Sequence, residues 1–245
     1  MCVLVILDEQ NRTPTDEDIY LSEKRFEQPK EIFKLICSVV KNHNFPQKIN
    51  ICDIGCATGE FLHHFKSIFS QCSVTGLDVS KPMLDVAKKM LSVGNFLLGN
   101  INSEQPLPTK SFDVITMTGV LGIFDNPQLA LTNCLSAIKK NGVIIIANPF
   151  NPYPIDAIVR YRRSDKSEST WETGWNIHSC YTIEKIIKDI APDAKLTWHD
   201  FQMPFSIKQT SDFMRTWTTK IENNNHMLIN GACQILHIKI LEICI

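Results

Sequence analysis

The sequence predicts a doubly wound α/β domain on a mainly parallel, seven-stranded sheet. Three observations carry that expectation. Apolar, strand-length runs alternate with helical patterns from Ile49 to Ala147, as in right-handed strand–helix–strand crossovers. The first run stops at the glycine-bearing turn Asp53-Ile54-Gly55-Cys56-Ala57-Thr58-Gly59-Glu60. The second ends in an acid at Gly76-Leu77-Asp78, where doubly wound folds meet ribose hydroxyls.

Residues 16–41 begin polar and acidic and then place Ile32, Leu35, Ile36, Val39 and Val40 on one helical face. Asn44 and Pro46 end that helix before a strand at 49–54. The glycine turn opens a helix over about 60–69, and 74–78 is the second strand. Ser80 followed by Pro82 is a cap-then-proline helix start; that helix reaches about Leu91 and is closed by Gly94. A short third strand at 96–98, a loop at 102–110 and a fourth strand at 112–117 follow. The helix at 127–138 finishes in Lys139-Lys140, with Asn141-Gly142 as its stop signal. The fifth strand, 143–147, is apolar throughout, as a strand covered on both faces requires. Residues 148–174, rich in Pro, Tyr, Arg and Trp, lack a period and read as a substrate-side insertion. A helix at 182–190, a strand at 196–201, a second irregular stretch at 204–225 and a last strand near 235–243 complete the order. This makes one domain: a helical cap at 1–48, a cofactor half at 49–147, and a substrate half at 148–245 with insertions at 148–180 and 204–230.

A net charge of −1 over 245 residues gives no global field to gather nucleic acid or anionic membrane. The nine cysteines are odd in number and several sit in apolar segments, which points to buried thiols in a reducing compartment. No CxxC pair occurs, and His63 and His64 are adjacent and diverge on a helix, so no metal site is expected. Residues 1–7 are apolar but run directly into Asp8 and Glu9, unlike an export signal or a membrane span. The expected location is the cytoplasm.

The dinucleotide fingerprint G-x-G-x-x-G is missing at 55–59, and no G-x-x-x-x-G-K-[ST] run exists. Residues 53–59, read with Asp78 and the loop from Gly99-Asn100-Ile101 through Leu107-Pro108, resemble instead the class I S-adenosylmethionine-dependent methyltransferases. The pattern is similar to the small-molecule, ubiquinone-biosynthesis type over residues 49–147. The resemblance implies a Rossmann-like methyltransferase fold with an antiparallel last strand, and S-adenosyl-L-methionine as cofactor, leaving as S-adenosyl-L-homocysteine. It implies that Asp53, Gly55, Cys56, Ala57 and Gly59 surround the methionine half of the cofactor. Asp78 would accept both ribose hydroxyls, Val79 and Met83 would flank the adenine, and Ile101 and Thr118 would complete the set. Asn100 stands where the family often has a carboxylate; its side-chain carbonyl can still accept from the adenine amino group. Ala57 replaces the family's frequent middle glycine and tightens the turn.

Methyl transfer from a sulfonium is an in-line displacement with a neutral leaving group, so alignment and exclusion of water come before acid–base catalysis. The expected acceptor is an oxygen or nitrogen of a small metabolite. A cofactor-binding module without chemistry, or a nucleic-acid methyltransferase, are the alternatives, and neither nucleic acid nor membrane is an expected partner. His178 is the candidate general base, since an unperturbed imidazole titrates near neutral pH; a packed or capping histidine is its other reading. Trp171 and Trp175 are candidate aromatic walls. Arg160, in the run Arg160-Tyr161-Arg162-Arg163, is either an anion fork or part of a solvated face. Tyr153 is a candidate substrate contact within a proline-stiffened exit from the fifth strand. Tyr20 or Arg25 could reach the cofactor carboxylate from the cap. Phe205, Phe213, Met214 and Trp217 either complete a lid or cover the sheet edge.

Overall fold

A computed structural model describes residues 17–22, 26–45, 48–165, 167, 170–212, 215–221 and 225–245. Residues 1–7, Arg25, Phe213 and Met214 lie outside the described residues. The cap consists of α1 (Glu17–Ser22) and α2 (Glu31–Lys41). The chain then runs through β1 (Ile49–Ile54), α3 (Glu60–Ile68), β2 (Cys72–Asp78), α4 (Lys81–Met90), β3 (Asn95–Leu98), β4 (Phe112–Thr118), a 3₁₀ turn (Leu121–Ile123), α5 (Gln128–Ala137) and β5 (Ile138–Asn151). Beyond it lie β6 (Arg160–Tyr161), β7 (Glu172–Thr173), β8 (His178–Ser179), α6 (Cys180–Ile190), β9 (Lys195–Asp200), β10 (Trp217–Lys220), β11 (His226–Ile229), β12 (Ile235–Leu236) and β13 (Ile238–Cys244).

The main sheet runs β3-β2-β1-β4-β5-β13-β9, with β8 attached to β5. The pairs from β3 to β5 are parallel, and β13 is antiparallel to both β5 and β9. This is the expected doubly wound sheet with its antiparallel last strand. One face packs Ile115, Met117, Ile144 and Ile146 against Leu131 of α5 and Ile187 of α6. The other packs Ile51, Val114 and Ile145 against α2, α3 and α4 through Ile36, Leu62 and Leu84. Because strand side chains alternate between faces, β1, β4 and β5 must be apolar nearly throughout, which is why they were legible as strands. Ser80 caps α4 by accepting from the Met83 N–H. Ser179 does the same for α6, accepting from the Thr182 N–H.

The structure departs from the sequence reading where pairing is non-local. Asn141-Gly142 does not stop α5: the helix ends at Ala137, and Asn141, at φ 64°, bends the early part of β5. The register between β4 and β5 shifts there, so β5 starts at Ile138 and extends to Asn151. The stretch 148–174 is also not wholly irregular, since β6 and β7 form a two-stranded antiparallel sheet. The last apolar run divides. Ile235–Leu236 joins β10 and β11 in a small sheet, and only Ile238–Cys244 enters the main one. Among the described residues no helix is long and apolar enough to cross a membrane. Cys37 and Cys134 are free and buried, and burial pushes both thiols up to about 12.

Candidate functional site at the ends of the parallel strands

The turn after β1 is left-handed three times over, at Gly55 (φ 68°), Ala57 (φ 47°) and Gly59 (φ 85°). The N–H groups of Gly55 and Cys56 donate to the Leu77 carbonyl at 2.7 and 3.2 Å, tying the turn to the end of β2. A Cβ at Gly55 would lie 2.3 Å from Val120 Cγ2, so the loop after β4 closes on bare backbone. The left-handed conformation costs Ala57 about 1–2 kcal/mol. It is held there because its N–H donates to Asp78 Oδ2 at 2.8 Å.

Asp78 is buried, and its other oxygen accepts from the Ser80 N–H at 2.8 Å. Each carboxylate oxygen thus gives one lone pair to the backbone and keeps another for a ligand hydroxyl. Burial raises its pKa, the backbone donors oppose that rise, and the Glu17 charge adds to it. Glu17 itself accepts from Ser80 Oγ at 2.6 Å, seating α1 over α4 beside the acid. Val79 is 55% exposed although apolar, and Met83 is buried behind it. Asn100 Oδ1 accepts from the Asn102 N–H at 2.9 Å. Ile101 is buried and its carbonyl accepts from Asn133 Nδ2.

At the end of β1, Asp53 accepts from Thr116 Oγ1 at 2.7 Å. Burial, with the neighbouring Asp78 charge, pushes its carboxyl up to about 7 against the pull of Thr116 and Lys30. Lys30 was not singled out from the sequence. Its Nζ lies 3.7 Å from Glu60 Oε2, bonds the Tyr20 hydroxyl at 3.3 Å and sits 4.6 Å over the Tyr20 ring. Its place just ahead of α2, after Pro29, was the available signal, and the expectation for Arg25 lies outside the described residues.

Among the described residues, several buried polar atoms here have no hydrogen-bond partner: Thr58 Oγ1, both Glu60 carboxylate oxygens, Thr118 Oγ1 and Asn148 Oδ1. An unmatched buried polar group costs about 1–3 kcal/mol. Their gathering at the ends of β1, β4 and β5 is what a preformed site for a polar ligand leaves behind. With the bare turn and the two acids, these atoms fit an adenosyl amino acid with an ammonium, a carboxylate and ribose hydroxyls.

The substrate-side candidates fare differently. His178 is 2% exposed and its Nε2 lies 2.9 Å from the Phe124 carbonyl. Burial lowers its pKa. A general base needs a lone pair facing the acceptor; this ring instead fastens β8 to the turn after β4, so the base assignment is corrected to a structural one. Arg160 is no free anion fork, because its guanidinium pairs with Asp125 and with the Val159 carbonyl. Trp171 is no enclosed wall, since it is 57% exposed with the Arg162 guanidinium 5.2 Å over its ring. Trp175 is half-buried, its carbonyl accepting from Gln234 Nε2 at 2.6 Å. Tyr153 is 69% exposed. Asn176 is a residue the sequence reading missed. Fully buried, it holds Val159 N–H, the Phe124 carbonyl and Asp125 together.

A parallel sheet ending in a left-handed turn and a buried, backbone-held acid on the next strand defines a class I, S-adenosylmethionine-dependent methyltransferase domain. The chain belongs to the methyltransferase domain family, whose model matches residues 46–209. It is similar to demethylmenaquinone methyltransferase of Thermotoga maritima, at 30% identity over 107 residues, which cover 44% of this chain and 45% of the relative. It also resembles malonyl-[acyl-carrier protein] O-methyltransferase of Halalkalibacterium halodurans, at 33% identity over 108 residues, 42% of this chain and 39% of the relative. The matches span less than half the length of these curated relatives. Among solved structures, a TehB-like S-adenosylmethionine-dependent methyltransferase from Corynebacterium glutamicum shares the fold, with a TM-score of 0.55 and 14% identity over 95% of this chain and 98% of that one. YcgJ of Bacillus subtilis does so with a TM-score of 0.53 and 14% identity over 86% and 96%.

Proposed function

We propose that the protein transfers a methyl group from S-adenosylmethionine to an oxygen or nitrogen of a small metabolite in the cytoplasm. The observation that carries this reading is Asp78, buried, fixed by the Ala57 and Ser80 N–H groups and flanked by the exposed Val79. Asp78 would hold the ribose, Val79 and Met83 the adenine, and Asn100 the amino group of the base. Asp53 and Glu60 would face the ammonium, and Lys30 with Tyr20 the carboxylate. When bound, the cofactor supplies an electrophilic methyl group on a leaving group that departs neutral.

The protein's own share is to bind, orient and keep water out. Gly55, lacking a side chain, lets Val120 pack directly on the turn, so that the loop after β4 walls the crevice. The engagement of His178 with the Phe124 carbonyl supports an acceptor that attacks with a lone pair it already has, such as a neutral amine or an ionised oxygen. Asn148 Oδ1, buried near the end of β5 and without a partner among the described residues, would accept a hydrogen bond from a neutral amine acceptor. Calorimetric titration with S-adenosylmethionine, S-adenosylhomocysteine, NAD and ATP tests the cofactor. Binding of the first two alone is expected, and preference for either of the others overturns the reading. A methyl-acceptor screen over amines and carboxylates then tests the substrate class.

A further inference from the structure

The opposite end of the sheet carries a second cluster, remote from the crevice. Strand β13 runs against β5 and β9, so Cys244 pairs with Val143 and Lys195, and Glu242 with Ile145 and Thr197, in the middle of β5 and the first half of β9. Residues two apart on a strand share a face. Glu242 and Cys244 therefore share the face of Ile240, which α2 covers. Just past α2, His43 crosses to them. Its Nε2 lies 2.8 Å from Glu242 Oε1, and Cys244 Sγ lies 3.6 Å from the same oxygen. One ligand atom from each of the three lies within 4.8 Å of the others. The second Glu242 oxygen is 2.7 Å from Nε2 of His199 on β9. All of these side chains are half-buried, and a depression of about 250 Å³ opens beside His43 and Cys244.

We propose that His43, Glu242 and Cys244 form a zinc site that clips the exit of α2 to β13, with His199 orienting the carboxylate from behind. An imidazole, a carboxylate and a thiolate make a borderline-soft donor set suited to zinc. Carboxylate and thiolate together balance its double charge. Ligand atoms around tetrahedral zinc stand roughly 3.3 Å apart, so the His43 ring and the Glu242 carboxylate need only part by about half an ångström. The fourth position faces the depression, where water completes the shell. Lys195 and Asp193 both line that depression and offset one another in charge. His199 plays the outer partner that commonly fixes a metal-bound carboxylate. Sequence spacing could not reveal the group, because His43 and Glu242 stand 199 positions apart and no CxxC pair marks it.

The test uses the whole chain after dialysis against a chelator, titrated with Co²⁺ and then Zn²⁺. One equivalent of Co²⁺ is expected to give a thiolate charge-transfer band and the intense visible bands of a four-coordinate site. Zn²⁺ should displace it and raise the thermal midpoint. Cys244→Ser should abolish the thiolate band, whereas Cys233→Ser, at an exposed cysteine, should leave it. Zn²⁺ affinity should fall at least 100-fold in His43→Gln and about 10–100-fold in His199→Ala. S-adenosylmethionine affinity should stay unchanged in all of them, which separates failure of this site from failure of the proposed activity. Absence of a thiolate band, or its persistence in Cys244→Ser, overturns the proposal. If Cys244→Ser does not fold, undiminished Zn²⁺ binding by His43→Gln overturns it equally.

Discussion

The crevice at the ends of β1, β2 and β4 and the surface built by residues 151–179 treat their polar groups in opposite ways. In the crevice, Thr58 and Thr118 keep buried hydroxyls without a partner among the described residues, Glu60 meets Lys30 across 3.7 Å without a hydrogen bond, and Asp78 holds its carboxylate in place while keeping lone pairs open. On the other surface the polar groups are consumed internally: Arg160 by Asp125, Tyr161 by Glu172, and His178 by the Phe124 carbonyl. Beside exposed polar residues such as Asp156, Arg162 and Asp165, that surface also exposes the apolar and aromatic side chains Tyr153, Ile155, Ile158 and Trp171. The first region keeps polar groups open for a ligand to bond; under the proposed function, the second would meet an acceptor through its apolar side chains. This division suits a reaction whose leaving group departs neutral and which asks chiefly for alignment.

The comparison breaks most readily at Asp78. Asp78→Ala removes two charge-assisted bonds of about 1.5–3 kcal/mol each, so calorimetry should show S-adenosylmethionine affinity reduced at least 100-fold. Arg160→Ala should change that affinity less than about threefold, because it acts within the other surface. Equal losses in the two variants would dissolve the distinction. Next in size is His178→Ala. Removing a buried ring bonded to the Phe124 carbonyl should cost about 2 kcal/mol in denaturant unfolding while sparing cofactor affinity. A variant of full stability that loses turnover at neutral and higher pH, together with the fall of turnover at acid pH, would instead make His178 a base.

Asp53 sharpens the comparison through pH. Its carboxyl is raised from 3.8 to about 7 in the fold, so the protonated form is the one the folded protein favours. The stability this gives is fully present below the unfolded value and is lost as pH rises from about 4 to 7. Cofactor binding runs the other way, because an ammonium pairs with the ionised acid. Affinity should therefore rise about tenfold between pH 6 and pH 8. Asp53→Asn should flatten that profile, and an unchanged slope in the variant would assign the titration elsewhere.

Local physics explains which parts were legible. The turn after β1, the acid ending β2 and the Ser80 cap are written in consecutive residues, so the crevice could be placed from sequence. Lys30 was missed because its partners Glu60 and Tyr20 meet it only through folding. Asn176 was missed likewise, since Phe124 and Asp125 lie 52 and 51 positions away. The Asn141-Gly142 pair misled for the opposite reason: its left-handed preference is real, at φ 64° for Asn141, but tertiary pairing with β4 put it inside a strand. Arg160 and Trp171 looked like ligands because sequence shows charge and aromaticity without showing who already holds them.

Tyr153 gives the smallest effect and the closest test of covering by shape. It follows β5 at the crevice end of the sheet, its N–H donating to Asn151 Oδ1 while its ring faces solvent. A ring this exposed contributes little to folding, so Tyr153→Ala should move stability by less than about 0.5 kcal/mol. If the ring covers a bound acceptor, the variant loses about 1 kcal/mol of apolar contact, roughly 40 Å² at about 25 cal/mol per Å². KM for the acceptor then rises about fivefold while cofactor affinity holds. Tyr153→Phe separates contact from hydrogen bonding: it keeps the apolar face and should keep KM, whereas a loss equal to that of alanine would mean that the hydroxyl, not the shape, does the binding.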